Sequence, residues 1–314
     1  MLNRRHIRVK VMQSIYAMHQ TGSDQLEKEE KFLLYSIENM LDLYLLMLSA
    51  VIEIRQKEQE YQEKARTKHL ATAEEKNPNP KFIHNAVFNM LAENQSLLQA
   101  IDYRKINNWK LNDDYILLLL DHIKQSDLYA AYMKNRVNKF DEDRDFAVNL
   151  FADLIASNEK LYDYLEDFKL TWADDIPVVN TQIIKQLKAI KSDKDQTFQV
   201  PKLYKDEDDR TFAIDLFRKT VLNEKDFVKF YENKTPNWDT ERIAEIDTII
   251  LKMAICEFLK FPSIPVKVTI NEYLEIAKEY STPKSSIFIN GILDNLVKEF
   301  QTDGKLNKTG RGLM

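Results

Sequence analysis

Apolar residues recur at helical spacing along most of this chain. The apolar positions of residues 4–20 share one arc of a helical wheel, and they are Ile7, Val11, Ile15 and Met18. Basic and aromatic side chains fall on the adjacent arc. This pattern predicts a first helix with one face in the core, ended by the turn residues at 21–24, which also supply a cap for the next helix.

Residues 25–68 continue the helical spacing and predict one very long helix, apolar in its first half and charged in its second. The Asn-Pro-Asn-Pro stretch at 77–80 breaks the pattern. Glycine is scarce, with 5 residues, and proline has 8, which suits long helices better than a sheet with its many turns. We therefore predict an all-α fold.

The last third can be divided into three predicted helices. Asp239 would cap the first, whose apolar positions include Ile243 and Ile250. Thr269 followed by Glu272 has the spacing of a capping box and would begin the second. A third follows the proline at 283, and its lone glycine at 291 predicts a close helix approach or a bend. Residues 301–314 lose all periodicity and are expected to form a flexible tail.

The segment 143–172 is repeated at 209–238 with a constant offset of 66 residues. Seven identities carry the match: Asp143, Arg144, Phe146, Ala147, Leu150, Phe151 and Trp172 recur as Asp209, Arg210, Phe212, Ala213, Leu216, Phe217 and Trp238. Such repetition predicts duplicated helical hairpins. Coincidence among similar helices is the alternative.

Charge is unevenly distributed along the chain. The net charge is -5, yet the first ten residues contain Arg4, Arg5, Arg8 and Lys10 and no acidic residue. Arginine stays charged and pairs bidentately with phosphate, so we hypothesise that these four side chains contact phosphates at the start of the first helix. A solvated, frayed terminus is the alternative.

The chain contains no recognisable catalytic or metal-binding motif. It has no phosphate loop, dinucleotide fingerprint, HExxH or CxxC, and its five histidines show no metal spacing. Cys256 is the sole cysteine and is expected to be a buried thiol. We therefore expect a non-enzymatic, cytoplasmic protein with no cofactor, no signal peptide and no membrane helix.

Two motifs resemble the NusB family of transcription antitermination factors. The first is RRxxRxxxxQxxY, formed by Arg4, Arg5, Arg8, Gln13 and Tyr16. The second, more specific one is IPVKVTINEYLEIAK followed by FINGILD, with Phe288, Asn290, Gly291, Leu293 and Asp294 in the matching positions. The resemblance covers roughly the first 20 residues and residues 205–300.

The resemblance implies an all-helical protein that binds the boxA element of ribosomal RNA leaders together with ribosomal protein NusE. It also implies that the protein acts with other Nus factors on the transcription elongation complex. No cofactor or catalysis belongs to that role. On this basis the chain divides into a basic first helix (1–22), a long helix with an inserted helical region carrying the repeat (23–204), a NusB-like helical domain (205–300) and the tail (301–314).

Further RNA contacts are expected where the last helix begins. Exposed backbone N–H groups at a helix start attract phosphate, which indicates Lys284, Ser285 and Ser286. Many family members carry an acidic residue where Lys284 stands. Phe288 could stack on an unpaired base, or it could belong to the core. We expect this loop and the basic first helix to form a single RNA-binding patch.

The resemblance also places Tyr16 and Asp247 toward NusE. Tyr16 could equally be half-buried core, and Asp247 an ordinary surface charge. Two other functions remain open. An RNA methyltransferase with a NusB-like domain would need a glycine-rich cofactor domain and a catalytic cysteine, which this chain lacks. A protein-interaction scaffold without an RNA role would explain the repeat but not the basic first helix.

Overall fold

The computed structural model describes residues 1–193, 197–232 and 244–313, and every regular element in these ranges is helical. The all-α class predicted from the sequence is thereby confirmed. In chain order the α-helices are α1 (Arg4–Thr21), α2 (Leu26–Arg66), α3 (Ala73–Lys76), α4 (Ala86–Glu93), α5 (Gln95–Tyr103), α6 (Asn108–Leu111), α7 (Asp113–Gln125), α8 (Asp127–Tyr132), α9 (Phe140–Leu150), α10 (Glu159–Phe168), α11 (Ile176–Ala189), α12 (Glu207–Leu222), α13 (Glu224–Tyr231), α14 (Glu245–Lys260), α15 (Val266–Tyr280) and α16 (Ser285–Thr302).

The chain forms two units. Unit 1 consists of Met1–Ile37 and Leu203–Met314, and unit 2 consists of Glu38–Lys202. The basic first helix and the C-terminal helices, which lie far apart in the sequence, are thus parts of the same unit. Helix α2 begins in unit 1 and ends in unit 2.

Helix α1 follows the sequence pattern closely. Asn3 caps its start by accepting a hydrogen bond from the backbone N–H of His6 at 2.9 Å. Gly22 ends it in the left-handed conformation, with φ of 61°. The predicted apolar arc is the buried face, since Ile7, Val11 and Ile15 are each fully buried. Burial of this arc fixes how α1 sits among the helices of unit 1.

Helix α14 packs against α1 in the opposite direction. Arg8, near the start of α1, contacts Glu257 near the end of α14. His19, in the last turn of α1, contacts Glu245 in the first turn of α14. The predicted cap Asp239 and the apolar Ile243 lie outside the described residues. The two ends of this antiparallel pair therefore serve as reference points for the site residues.

The capping box predicted at the start of α15 is wrong. The helix begins one turn earlier, at Val266, and its N-cap Pro265 makes no side-chain capping bond. Thr269 and Glu272 instead lie inside α15 and point to other helices. Thr269 donates a hydrogen bond to Glu257, and Glu272 accepts two from Arg5. A long-range pairing has replaced the local one that the spacing indicated.

Gly291 is not required by its surroundings. It lies inside α16, where a Cβ atom would meet nothing within 4 Å. Its φ angle is not positive, unlike those of Gly22, Gly304 and Gly310. The expected close helix approach or bend at this position is therefore wrong, because an alanine would fit there without strain.

The repeated aspartates occupy matching places in the two units. Asp143 is fully buried and accepts a hydrogen bond from the backbone of Ala86, at the start of α4. Asp209 is 5% exposed and bonds Arg4, at the start of α1. In each case the aspartate lies near the start of its own helix and holds the first turn of another. The sequence repeat thus corresponds to a repeated helix contact.

The repeated aromatic residues differ more between the units. Phe146 stacks on Tyr132 with ring centroids 3.8 Å apart, so its surroundings are aromatic. Phe212 instead lies beneath the guanidinium of Arg4, at 5.0 Å. Trp172 is buried, whereas its counterpart Trp238 lies outside the described residues. The repeated phenylalanine thus packs on a tyrosine in unit 2 and on an arginine of α1 in unit 1.

The segment expected to be a flexible tail is packed onto unit 1. Residues 301 and 302 complete α16, and Gly310–Leu313 form a 3₁₀ turn. Thr309 donates a backbone hydrogen bond of 3.0 Å to the carbonyl of Pro262. The expectation failed because the contacts that order this segment come from polar groups of α14 and the following loop, which leave no periodic pattern.

Candidate nucleic-acid interface

Arg4 and Arg5 lie in the first turn of α1 and keep much of their side chains in solvent. Their side chains are 43% and 40% exposed. Arg4 donates to Asp209 at 3.0 Å, and Arg5 donates to both carboxylate oxygens of Glu272 at 2.9 Å. The hydrogen bond with Glu272 raises the pKa of Arg5, so its charge is secure. The two guanidinium groups are held in place and still accessible.

Arg8, one turn further along α1, is enclosed by protein. It is 2% exposed and forms a two-pronged ion pair with the buried Glu257, at 2.6 and 2.9 Å. The hydroxyls of Thr269 and Tyr273 donate to the same carboxylate, at 3.1 and 2.8 Å. Burial opposes the charge, but the Glu257 carboxylate outweighs it and the pKa of Arg8 is raised. Arg8 therefore joins α1, α14 and α15.

Lys10 is also buried, with 3% of its surface exposed. A phosphate contact by Arg8 or Lys10 would require the side chain to leave the core. For Arg8 this would break the buried ion pair with Glu257, at a cost of about 3–5 kcal/mol. The expectation that all four basic residues face RNA is thus corrected by burial. Exposed positive charge at the start of α1 comes from Arg4 and Arg5.

The loop before α16 shows a similar division. Lys284 is exposed and Ser286 is half-buried, whereas Ser285 is 3% exposed and donates a 2.7 Å hydrogen bond to Asp247. Phe288 is 9% exposed, which leaves little of its ring for stacking on a base. Ser285 and Phe288 hold α16 in place, and Lys284 is the exposed cation of this loop.

Ile287 was missed by the sequence reasoning. It is 75% exposed beside Lys284 and Phe288. The sequence placed an apolar residue there without showing which of two neighbours, Ile287 or Phe288, faces solvent. Which of the two faces solvent depends on the residue at which α16 begins. A sequence pattern places a helix start only to within one or two residues.

Tyr16, His19 and Asp247 lie at the other end of the α1–α14 pair. Tyr16 is 38% exposed, and Asp247 is 5% exposed. The ring nitrogens of His19 lie 2.9 Å from Glu224 and 3.1 Å from Glu245. The hydrogen bond with Glu224 raises the pKa of His19. Sequence reasoning missed His19, since its acidic partners lie more than 200 residues away.

The two exposed basic sites lie beside different ends of α14. Arg5 lies at the start of α1, beside the end of α14, where Glu257 pairs with Arg8. Lys284 precedes Ser285, which bonds Asp247 at the start of α14. Ten residues of helix separate Asp247 from Glu257, which corresponds to about 15 Å. The two sites are therefore offset along α14, and their convergence into a single patch stays a prediction.

A cavity opens beside the start of α1. It has a volume of about 690 Å³, and its lining includes Arg4, Arg5, Arg8, Arg311 and the carboxylate of Glu272. Arginine predominates among its charged residues. Such a lining favours an anion, and it was not foreseen, because Arg311 lies in the segment expected to be flexible.

The described residues were also compared with the needs of a metal site, a reactive cysteine and a membrane helix. No group of three or more histidine, cysteine, aspartate or glutamate side chains there is placed to hold a metal ion. Cys256 is fully buried, and burial raises the pKa of its thiol to about 12. Among the described helices, none combines the length and apolar character needed to cross a membrane.

Comparison with known proteins identifies the family. The model of the NusB family matches residues 178–298. Transcription antitermination protein NusB of Salinibacter ruber is 45% identical over 112 residues, which are 36% of this chain and 70% of the relative. The NusB protein of Koribacter versatilis is 40% identical over 35% of this chain and 76% of the relative.

The NusB protein of Chloroherpeton thalassium is 41% identical over 33% of this chain and 50% of the relative. No solved structure matches the chain significantly. The region matched by the family model contains the FINGILD motif, and it leaves most of unit 2 uncovered. With two relatives at 40% identity or more, each covered over more than two thirds of its length, this chain belongs to the NusB family of non-catalytic transcription antitermination proteins.

Proposed function

We propose that this protein binds boxA-like single-stranded RNA of ribosomal RNA leaders together with ribosomal protein NusE, as part of the transcription elongation complex. The observation that carries the proposal is the accessibility of Arg4 and Arg5. Both remain about two-fifths exposed beside an arginine-lined cavity, although half of the residues of α1 are buried. Family membership supplies the context of transcription antitermination.

The first RNA contact is made by Arg4 and Arg5 with backbone phosphates. Asp209 and Glu272 fix the two guanidinium groups before RNA arrives, which lowers the entropy lost on binding. Arginine presents several N–H donors, so one group can pair with a carboxylate and still donate to a phosphate. Arg8 contributes indirectly, because its ion pair with Glu257 anchors the helix that carries them.

Lys284 provides a second, separate phosphate contact, with the half-buried Ser286 beside it. A single RNA strand that meets both sites extends over the distance of about 15 Å between the ends of the α1–α14 pair. Ser285 and Phe288 act here through the placement of α16 and not through direct contact, since both are buried.

NusE binds at the end of α1 that carries Tyr16. This exposed ring suits a protein interface, where tyrosine is enriched. Asp247 supports the same region from within, through its hydrogen bond with Ser285. RNA and NusE would then occupy different ends of α1, which allows a ternary complex.

Salt-dependent titration with a fluorescent boxA-like RNA tests the RNA half of this proposal. Arg4→Gln and Arg5→Gln should each weaken binding by about threefold to tenfold and flatten the salt dependence. Glu272→Gln keeps an oxygen that can accept from Arg5 but removes the opposing charge, so it should strengthen binding. If wild-type protein binds neither the RNA nor the RNA–NusE pair, a protein-interaction scaffold becomes the better account.

A further inference from the structure

The segment after α16 returns to the C-terminal end of α14. The ammonium group of Lys308 donates to the backbone carbonyls of Glu257 and Phe261, each at 3.0 Å. Carbonyls at a helix C-terminus carry partial negative charge, so a lysine is well placed there. Burial of the ammonium group lowers the pKa of Lys308.

Gly312 fixes the position of this segment. It is buried against Pro262, and a Cβ atom on it would lie 2.0 Å from the Pro262 carbonyl oxygen. No side chain can occupy that space without moving one of the two backbones. The close approach of Gly312 to Pro262 therefore determines where the neighbouring Arg311 is presented.

Arg311 is exposed and lines the same cavity as Arg4, Arg5 and Arg8. Each arginine of α1 in this cavity has a carboxylate partner: Asp209 for Arg4, Glu272 for Arg5 and Glu257 for Arg8. Within the described ranges, Arg311 forms no ion pair with an acidic side chain. Since the opposite charges cancel within each of the three pairs, Arg311 supplies the net positive charge of the cavity.

We propose that Arg311 is an RNA-binding residue, delivered by the docked segment 305–313 to complete a phosphate site with Arg4 and Arg5. This inference rests on the proposed function, because it assumes that the start of α1 meets RNA. A phosphate in the cavity gains an arginine whose charge is not already offset by a carboxylate. Arginine is suited to this ligand by its planar, bidentate donors. The segment after α16 is thus part of the binding site.

Titration of a boxA-like RNA with the Arg311→Gln variant tests the inference. The variant should weaken binding by about threefold to tenfold and lower the salt slope by about one. Lys225→Gln is the matched control, because it removes one exposed positive charge next to Glu224, at the far end of α1. The control should bind as wild type does. Thermal unfolding should be unchanged for both variants, since both side chains are exposed.

Gly312→Val provides a second, independent arm. It retains Arg311 but forces the segment away from Pro262, so it should lower RNA affinity as much as Arg311→Gln does. Combining the two substitutions should add little further loss.

The outcomes separate the two claims. If Arg4→Gln and Arg5→Gln weaken binding while Arg311→Gln and Gly312→Val bind as wild type, the inference is overturned and the proposed function stands. If wild-type protein binds no RNA under any salt condition, the proposed function and the inference fall together. An equal loss in Lys225→Gln would also overturn the inference, because the effect would then be one of net charge alone.

Discussion

Arg8 of α1 and Glu257 of α14 form an ion pair that is sealed from solvent. The two side chains are 2% and 0% exposed and share hydrogen bonds of 2.6 and 2.9 Å. Thr269 and Tyr273 complete the hydrogen bonding of the carboxylate. The residue that resembled an RNA contact in the sequence is therefore the element that joins three helices of unit 1.

Breaking this pair should be costly. Arg8→Met leaves the Glu257 carboxylate buried without its partner, so we expect a loss of about 3–5 kcal/mol in the free energy of unfolding. Urea denaturation measures it. Arg210→Met is the control, since Arg210 and its partner Glu207 are both exposed and the loss should stay below about 1 kcal/mol. A loss of that small size for Arg8→Met would contradict the account.

The double variant Arg8→Met with Glu257→Leu should be more stable than Arg8→Met alone. Both charges are then absent, and apolar side chains fill the space between α1 and α14. Denaturation of the single and double variants under the same conditions gives the coupling energy. Equal stabilities would show that the buried charge left behind is not the source of the loss.

His19 should make folding stability depend on pH. Its pKa is raised above the ordinary value of 6.5, mainly by the hydrogen bond with Glu224. A raised pKa in the folded state gives a contribution that is fully present below the unfolded pKa and is lost as the pH rises through the folded pKa. His19→Gln should therefore destabilise the protein more at about pH 6 than at about pH 9.

Denaturation of wild type and variant at the two pH values checks this sign. Three charged groups face the imidazole, and they are Glu224, Glu245 and Lys252. His122 is exposed, so His122→Gln serves as the control and should show no such difference. A destabilisation by His19→Gln that is larger at the higher pH would contradict the assigned contacts.

Two glycines should respond oppositely to alanine. Gly22 has φ of 61°, which strains any residue with a Cβ atom, so Gly22→Ala should cost about 1 kcal/mol. Gly291 lies in open space inside α16, so Gly291→Ala should stabilise by up to about 1 kcal/mol. Thermal unfolding compares them directly. A destabilising Gly291→Ala would show that this glycine has a structural role after all.

The separation of the two basic sites has a measurable consequence. Arg5 and Lys284 lie beside opposite ends of the Asp247–Glu257 stretch of α14, which is about 15 Å long, so their effects on RNA affinity should add. Titration of Arg5→Gln, Lys284→Gln and the double variant with a boxA-like RNA gives the coupling energy. We expect it to be below about 0.5 kcal/mol. Strong coupling would contradict this expectation and indicate that the two sites act as one.

Local signals were readable from the sequence, and long-range pairings were not. The bounds of α1 and its end at Gly22 followed from periodicity and turn chemistry, which depend on neighbouring residues. Thr269 and Glu272 had the spacing of a capping box but pair with residues on other helices. The sequence pattern predicts a surface charge at Arg8, because its partner Glu257 lies 249 residues away in the chain.

The candidate site was predicted in part for the same reason. Arg4, Arg5 and Lys284 are exposed as expected. Arg311 was missed because its position depends on the docking of Gly312 against Pro262, a contact between two backbones. No periodic pattern of side chains records such a contact.

The most direct test of the account is RNA binding by the Arg4→Gln, Arg5→Gln double variant. Both arginines are exposed, so its fold should be retained, as thermal unfolding can show. Against a boxA-like RNA, we predict a loss of at least about tenfold in affinity and a salt slope lower by about two. Wild-type affinity with an unchanged slope would contradict the claim that the start of α1 binds RNA phosphates.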